Sequence, residues 1–468
     1  MNKFLTDKEI KDLTTSEPEK AAEYIKLLQG RLNLGSHNSG MPPSSDIFPK
    51  KKIKNNRNKT TKSKGGQAGH RGTTIKFDKI DFIVDLKPST CIGCGASLTD
   101  AGIADKQLRH VSDFNDNWKL EVTCYKSLSL VCPSCSCISK GVFPDNVNAW
   151  AQYGPKIQSL VTYFSSYQLL PVERLQECLK EIFKVKISQA TLLNLVKKTA
   201  DNLDGFLSEI RKLLIDSSVV HFDETSMRTE NKKCWGHVSS TTKLTLISAG
   251  DTRGLTSMIG ARVLPEFTGT AIHDGMTAYF FDDFDFSHGL CNIHHLRELK
   301  FVHEEMSQRW AMKMRSLLMD IKTTVEKAKD CGENKLNNAI IRSYEEKYRN
   351  VIDMGLRHPE NTKRYKPPGR GRAKQSKSKN LLDRLENTRA VLAFMYNFEV
   401  PFDNNLAERD LRMSKVKQKI SGCFRGKAGM DTFCKIRSYM GTMRKNSIDI
   451  LQGLFDAATG SPFMPAGT

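Results

Sequence analysis

The sequence predicts a multidomain α+β chain, and three observations carry that prediction. Its 468 residues exceed what one hydrophobic core holds, so two to four domains are expected. The hydrophobic period changes along the chain, with strand-like runs in 76–147 and 216–300 and helical stripes in 148–215 and 301–399. Two C-x-x-C pairs inside a strand-rich segment add a small metal-stapled unit.

Composition narrows the function. Lys and Arg number 72 against 52 Asp and Glu, a formal charge of +20. Such a chain suits a polyanion, and nucleic acid comes before membrane because no amphipathic basic helix dominates. There is no run of 18 apolar residues and so no expected membrane span. Met1 to Lys20 is charged throughout, unlike a signal peptide. Twelve cysteines without a secretory signal point to a reducing cytoplasm, where they serve as metal ligands or buried thiols. Secreted, membrane-embedded and collagen-like classes are thereby excluded.

Residues 1–40 form an expected N-terminal helical segment, with Ile10, Leu13, Ala21, Ala22, Ile25, Leu28 and Leu32 at spacings of three and four. A basic flexible linker follows over 41–75. Between Lys50 and Arg71 it carries nine Lys or Arg and no acid, a solvated arm that can bind phosphates by releasing counterions. The third segment, 76–147, holds short strands such as Phe82–Leu86 and Leu120–Cys124. Three helices are expected in 148–215, on the stripes Ile157–Phe164, Leu175–Ile182 and Leu192–Leu207, with Ser188 capping the third. In a basic context they fit a helix-turn-helix-like module or a plain helical connector.

Four strands are expected in 216–300: Val219–Phe222, Cys234–Val238, Leu244–Ser248 and Thr270–His273. Gly289–Cys291 is a weaker fifth, and a helix is expected around Gly254–Leu264. Residues 301–399 read as a charged helical insertion, with a basic loop from Lys363 to Lys379. The final segment, 400–468, is mostly helix with a glycine-marked turn near Gly422–Gly429.

Cys91-Ile-Gly-Cys94 and Cys132-Pro-Ser-Cys135 supply four thiolates for a closed tetrahedral site, so structural Zn²⁺ in a zinc ribbon is expected. Cys137 lies close enough to compete with Cys135. Three acids stand out by position. Asp223 follows the strand Val219–Phe222, Asp274 follows Thr270–His273, and Glu408 opens a helix that Asp403 or Asn404 would cap. Phosphodiester hydrolysis requires stabilising an attacking and a leaving oxygen, which two Mg²⁺ (or Mn²⁺) about 3.5–4 Å apart achieve when acids hold them. Glu224 would point away from Asp223 if the strand persisted. Asp282, Asp283 and Asp285 alternate with phenylalanines and read as a half-buried loop. Cys291, His294 and His295 have metal-like spacing, but their helical setting favours packing or phosphate contact over a second zinc. Tyr279 reads as core or as a base-stacking ring.

At these residues the chain resembles the transposases of insertion sequence family 66, of the Asp-Asp-Glu type. The resemblance rests on Asn38-Ser-Gly-Met-Pro-Pro-Ser-Ser-Asp46, Gly65–Gly72, the two C-x-x-C pairs, Asp223–Arg228, His273–Tyr279, Cys291–Arg297, Pro401–Arg412 and Lys417–Cys423. Gly40-Met41 departs from the more usual Ser-Lys, in a linker. The resemblance implies a ribonuclease H-like α/β catalytic core in two parts (216–300 and 400–468) interrupted by the helical insertion. It implies Asp223, Asp274 and Glu408 as catalytic residues holding two Mg²⁺. The activity implied is cleavage of double-stranded DNA at the element's ends and attack of the freed 3′-hydroxyl on target DNA. A homo-oligomer on DNA, possible small accessory transposition proteins and a bacterial, nucleoid-associated location also follow. Arg409, Arg412, Lys415, Lys417 and Lys419 are candidate phosphate clamps. Alternatives are a non-catalytic sequence-specific DNA-binding protein and a metal-dependent nuclease without strand transfer.

Overall fold

A computed structural model describes residues 152–230, 232–362 and 375–466, the strand residues 129–131 and 138–140, and the single positions 15 and 18. The expected N-terminal helices, the basic linker and the thiols Cys91, Cys94, Cys132 and Cys135 lie outside the described residues. Strands β1 (Ser129–Val131) and β2 (Ile138–Lys140) pair antiparallel on either side of the second C-x-x-C pair in sequence.

Among the described residues, four helices precede the main sheet. Helix α1 (Pro155–Thr162) begins on a proline at its first turn, where a missing N–H costs nothing, and runs on into a wider turn over Tyr163–Tyr167. Helix α2 (Val172–Phe183) ends where Lys184 turns left-handed. Helix α3 (Gln189–Asp201) starts at Ser188, whose hydroxyl accepts from Thr191 N. The stripe expected as one helix to Leu207 breaks at Asn202–Leu203, and α4 (Asp204–Ile215) resumes. Leu203 is fully buried and the Asn202 side chain donates to Ala457 O, so a tertiary contact bends the chain where the apolar pattern is continuous.

The sheet is mixed. It contains β3 (Val219–Thr229), β4 (Lys232–Ser240), β5 (Thr245–Gly250), β6 (Thr270–His273) and β7 (Ser287–Leu290), in the order β5-β4-β3-β6-β7. The β3–β4 and β4–β5 pairs are antiparallel; β3–β6 and β6–β7 are parallel. Periodicity located all five strands but gave β3 only four residues. Its polar half, Glu224 to Thr229, stays extended because every residue there is paired with β4. Helix α5 (Leu255–Gly260) lies between β5 and β6 in the chain.

After β7 come α6 (Asn292–Met306), α7 (Arg309–Asp330), α8 (Asn338–Leu356) and the single turn α9 (Pro359–Thr362). Then follow α10 (Lys377–Leu385), α11 (Thr388–Val391) and α12 (Ala393–Tyr396). Helices α13 (Asn405–Ser421), α14 (Lys427–Lys445) and α15 (Ile450–Ala458) complete the fold. The described chain is therefore mixed α+β. None of its helices is long and apolar enough to cross a membrane.

Three apolar clusters hold these elements. Val220 and Phe222 face one side of β3 and share a core with Leu175, Leu195, Phe206 and Tyr439. Helices α1 to α4 thus pack into the same core as the sheet. Val238 and Ile247 face the other side and pack with Ala407 and Leu411 of α13. The third cluster, built around Trp310, Leu318, Tyr348 and Leu382, joins the helices between β7 and α13 and takes in Ile272 and Leu290 of the sheet.

Candidate active site

Strand register brings two of the three acids level. In the parallel β3–β6 pair, Val219 is opposite Thr270, Val220 opposite Ala271 and His221 opposite Ile272. Continuing that register by two residues sets Asp223 beside Asp274. Side chains alternate along a strand, so Asp223 shares the face of His221, Val238 and Ile247, the face that α13 covers.

The turn after β6 is built for Asp274. Gly275 has φ +86°, a conformation glycine adopts without strain. Met276 N donates to Asp274 Oδ1 at 2.9 Å, and Gly275 N donates to His273 Nδ1 at 3.1 Å. His273 therefore carries its proton on Nε2, 2.9 Å from His288 Nδ1. Burial holds His273 well below the usual histidine range, so this spacer is neutral. Tyr279 is core: it is buried, stacks on the His273 ring at 4.3 Å, and donates to Glu224 Oε2 at 3.0 Å.

Helix α13 is fastened along β3 at several points, and these set the position of Glu408. Its N-cap is Asn404, but the side chain makes no capping bond. Instead Asn404 Nδ2 donates to Phe222 O at 2.7 Å, its Oδ1 accepts from His221 Nδ1 at 2.8 Å, and its backbone N donates to Cys291 Sγ at 3.2 Å. Asp403 takes the capping part, accepting from Asn405 N at 2.9 Å. Further along, Asp410 accepts from Ser240, Thr245 and Lys445, at 2.6, 2.9 and 2.6 Å. Lys415 Nζ donates to Ser226 O and Oγ, and past the helix Phe424 N donates to Arg228 O.

Around Asp223 negative charge accumulates. Burial raises its carboxyl well above the usual carboxylate range, and the charges of Glu224, Asp274 and Glu408 add to the effect. Glu224 is also raised, first by burial and then by Asp274. It lies on the opposite face of β3, as alternation requires, and its side chain is fully buried. Arg253, on the loop after β5, reaches both Glu224 (2.6 Å) and Asp274 (3.1 Å). Neither Arg253 nor the bridging role of Asn404 had a local signal in the sequence, because both partners are remote along the chain.

Glu408 leans elsewhere. Its Oε1 lies 3.9 Å from His294 Nε2, and the ligand atoms of Cys291, His294 and Glu408 all fall within 4.8 Å of one another. This is the one group of three potential ligands that close among the described residues; Asp223, Asp274 and Glu408 are electrostatic neighbours at wider spacing. Like charges separate, and each finds its own partner. His295, by contrast, is packing: it is buried, lies 3.2 Å from Asn292 Oδ1, and burial pushes it down to about 3. Of the basic residues on α13, Arg409, Arg412 and Lys419 are exposed, Lys417 is half-buried, and Lys415 is occupied by Ser226.

The raised acids predict a pH and cation dependence. A carboxyl whose folded pKa exceeds its unfolded value contributes stability below the unfolded value, and loses it as pH rises through the folded one. Without divalent cations, the melting temperature should therefore be higher at a pH near the ordinary carboxylate range than at a higher, neutral pH, through Asp223 and Glu224. Millimolar Mg²⁺ should restore more at the higher pH, and Asp223→Asn should reduce both responses. A cation gain that is equal at both pH values, or intact in Asp223→Asn, would show that these acids hold no metal.

The chain matches the family described as "Transposase IS66 family" over residues 151–432, and a family of unknown function (DUF6444) over residues 6–76. No curated protein matches it.

Proposed function

Because the chain belongs to the IS66 transposase family, we propose that it binds the ends of its own insertion sequence, cuts there, and joins the freed ends to target DNA. The observation that carries this is the placement of Asp223 on β3 and Asp274 just past its parallel neighbour β6, with Glu408 on the helix covering the face of Asp223. The strand order β5-β4-β3-β6-β7, with β4 the antiparallel neighbour of β3, supports reading the core as ribonuclease H-like. On that reading 216–300 and 400–468 are two parts of one catalytic core, 301–399 is a helical insertion, and 76–147 and 148–215 are a zinc ribbon and a helical DNA-binding module.

The donor set fits a hard divalent cation. It consists of carboxylates, and their mutual repulsion is relieved by positive charge. Bound by Asp223, Asp274 and Glu408, Mg²⁺ or Mn²⁺ would supply Lewis-acid stabilisation of the attacking and leaving oxygens. The chain's own residues do the rest. Asn404 and Asp410 hold the Glu408 helix against the sheet, and the Gly275 turn orients Asp274. Arg253 balances Glu224 and Asp274. Arg409, Arg412 and Lys419 offer exposed cations to the DNA backbone beside Glu408.

The test is a joining assay. Full-length protein is incubated with Mg²⁺ or Mn²⁺, labelled duplex carrying the ends that flank its own gene, and an unlabelled second duplex. Nicking at the ends with transfer to the second duplex is expected. Cutting without transfer would make the protein a nuclease, and binding without cutting would make it a DNA-binding regulator. Arg409→Glu combined with Arg412→Glu should weaken binding on the order of ten-fold through lost phosphate contacts; unchanged affinity would remove the clamp.

A further inference from the structure

Cys291, His294 and Glu408 bring a sulfur, an imidazole nitrogen and a carboxylate oxygen within 4.8 Å of one another. We propose that these three residues bind Zn²⁺, and that the bound zinc withdraws Glu408 from the Asp223–Asp274 pair. The second half rests on the reading of Glu408 given above; the first does not.

Several features favour a metal over simple packing. Edges of a tetrahedron around zinc with nitrogen and oxygen ligands measure about 3.3–3.5 Å. His294 and Glu408 already stand at 3.9 Å, and the Glu408 side chain, 35% exposed, has room to close the difference. Cys291 is 1% exposed and caps the start of α6. Its sulfur accepts from the backbone N–H of Asn404 at 3.2 Å, a bond that would support a metal thiolate. His294 makes no hydrogen bond with its buried Nδ1 among the described residues, and its Nε2 faces Glu408 beyond hydrogen-bond distance. A metal at Nε2 would take that nitrogen's lone pair and keep the proton on Nδ1.

The ligand types select the ion. Sulfur and imidazole nitrogen suit Zn²⁺ and exclude Mg²⁺, which demands oxygen. Three protein ligands leave the fourth tetrahedral position open to water or a phosphate oxygen. Glu408 cannot serve this group and the two aspartates at once, since its helix is fixed at Asn404 and Asp410. Zinc and magnesium therefore compete for one carboxylate. In the sequence the metal-like spacing of Cys291 and His294 was outweighed by their helical setting, and the third ligand, Glu408, lies far along the chain with no local signal.

Zinc content of the full chain tests the site. Wild type, Cys291→Ser and His294→Ala are equilibrated with Zn²⁺, freed of excess, and measured by elemental analysis. The remaining cysteine pairs are common to all three proteins and cancel. Both variants should hold one equivalent less than wild type, with Co²⁺-loaded wild type showing a thiolate charge-transfer band that Cys291→Ser lacks. His294 is partly exposed, so His294→Ala reports even if the buried Cys291→Ser fails to fold. Equal zinc in wild type and His294→Ala overturns the site. A joining assay tests the competition, each protein being compared with itself with and without zinc at about ten times its Kd. Wild type should lose about ten-fold and His294→Ala less than two-fold; equal inhibition would overturn the competition. Absence of joining in every protein would count against the transposase reading, and the zinc content would still decide the site.

Discussion

Glu408→Gln is expected to abolish nicking and joining, by on the order of 10³-fold or more, while leaving the fold intact. The substitution keeps the shape of the side chain and removes its charge. The Glu408 carboxylate makes no hydrogen bond to the described residues, and the His294 imidazole lies 3.9 Å away. Loss of the charge should therefore cost stability no more than about 0.5 kcal/mol, as at ordinary surface positions. Affinity for duplex DNA should be kept, because Arg409, Arg412 and Lys419 remain. Rates of strand transfer and a thermal melt on the same preparations check both halves. Activity within ten-fold of wild type would remove Glu408 from the chemistry, and with it the carboxylate triad.

Asn404→Ala should have the second-largest effect, on stability as well as rate. Asn404 is 2% exposed and its side chain ties together His221 and the Phe222 carbonyl, both on β3. Alanine would leave that carbonyl and the His221 ring nitrogen buried without partners. Each unsatisfied buried group costs about 1–3 kcal/mol, so a loss of about 2–5 kcal/mol is expected from denaturant unfolding. Glu408 lies one helical turn beyond Asn404, and its backbone N bonds to Asn404 O. Slackening that turn should lower joining by about 10–100-fold in the folded fraction, the usual penalty for disturbing a group that orients a metal ligand. A stability loss under about 1 kcal/mol would mean that α13 is held mainly by its other contacts, Asp410 among them.

Much of the architecture was legible locally. Val219–Phe222, Cys234–Val238, Leu244–Ser248 and Thr270–His273 each fall within an observed strand or one residue of it, because alternation and β-branched content report burial directly. Ser188 caps α3 through a contact spanning three residues. Glycine at 422 marks the end of α13, with φ +76°. Where local signals ran out, the errors were specific. The polar half of β3 carries no apolar alternation, and only pairing with β4 keeps it extended. The break between α3 and α4 interrupts a continuous apolar stripe just before Asp204-Gly205, and Asn202 there is drawn to Ala457, far along the chain.

The same division runs through the candidate site. By itself the sequence determined that Asp274 follows a strand, that Glu408 opens a helix, and that the chain is strongly basic, since periodicity, capping and charge are properties of short windows; it ended the first strand at Phe222, whereas Asp223 lies inside β3. The tertiary structure alone decided which groups meet. It set Asp223 level with Asp274 through the β3–β6 register. It turned Asn404 from a helix cap into a cross-link to β3, and carried Arg253 to Glu224 and Asp274. It also brought Glu408 to Cys291 and His294. The physical reason is that these contacts join residues far apart in the chain, and their distances depend on strand order and helix docking, which no short window of sequence encodes.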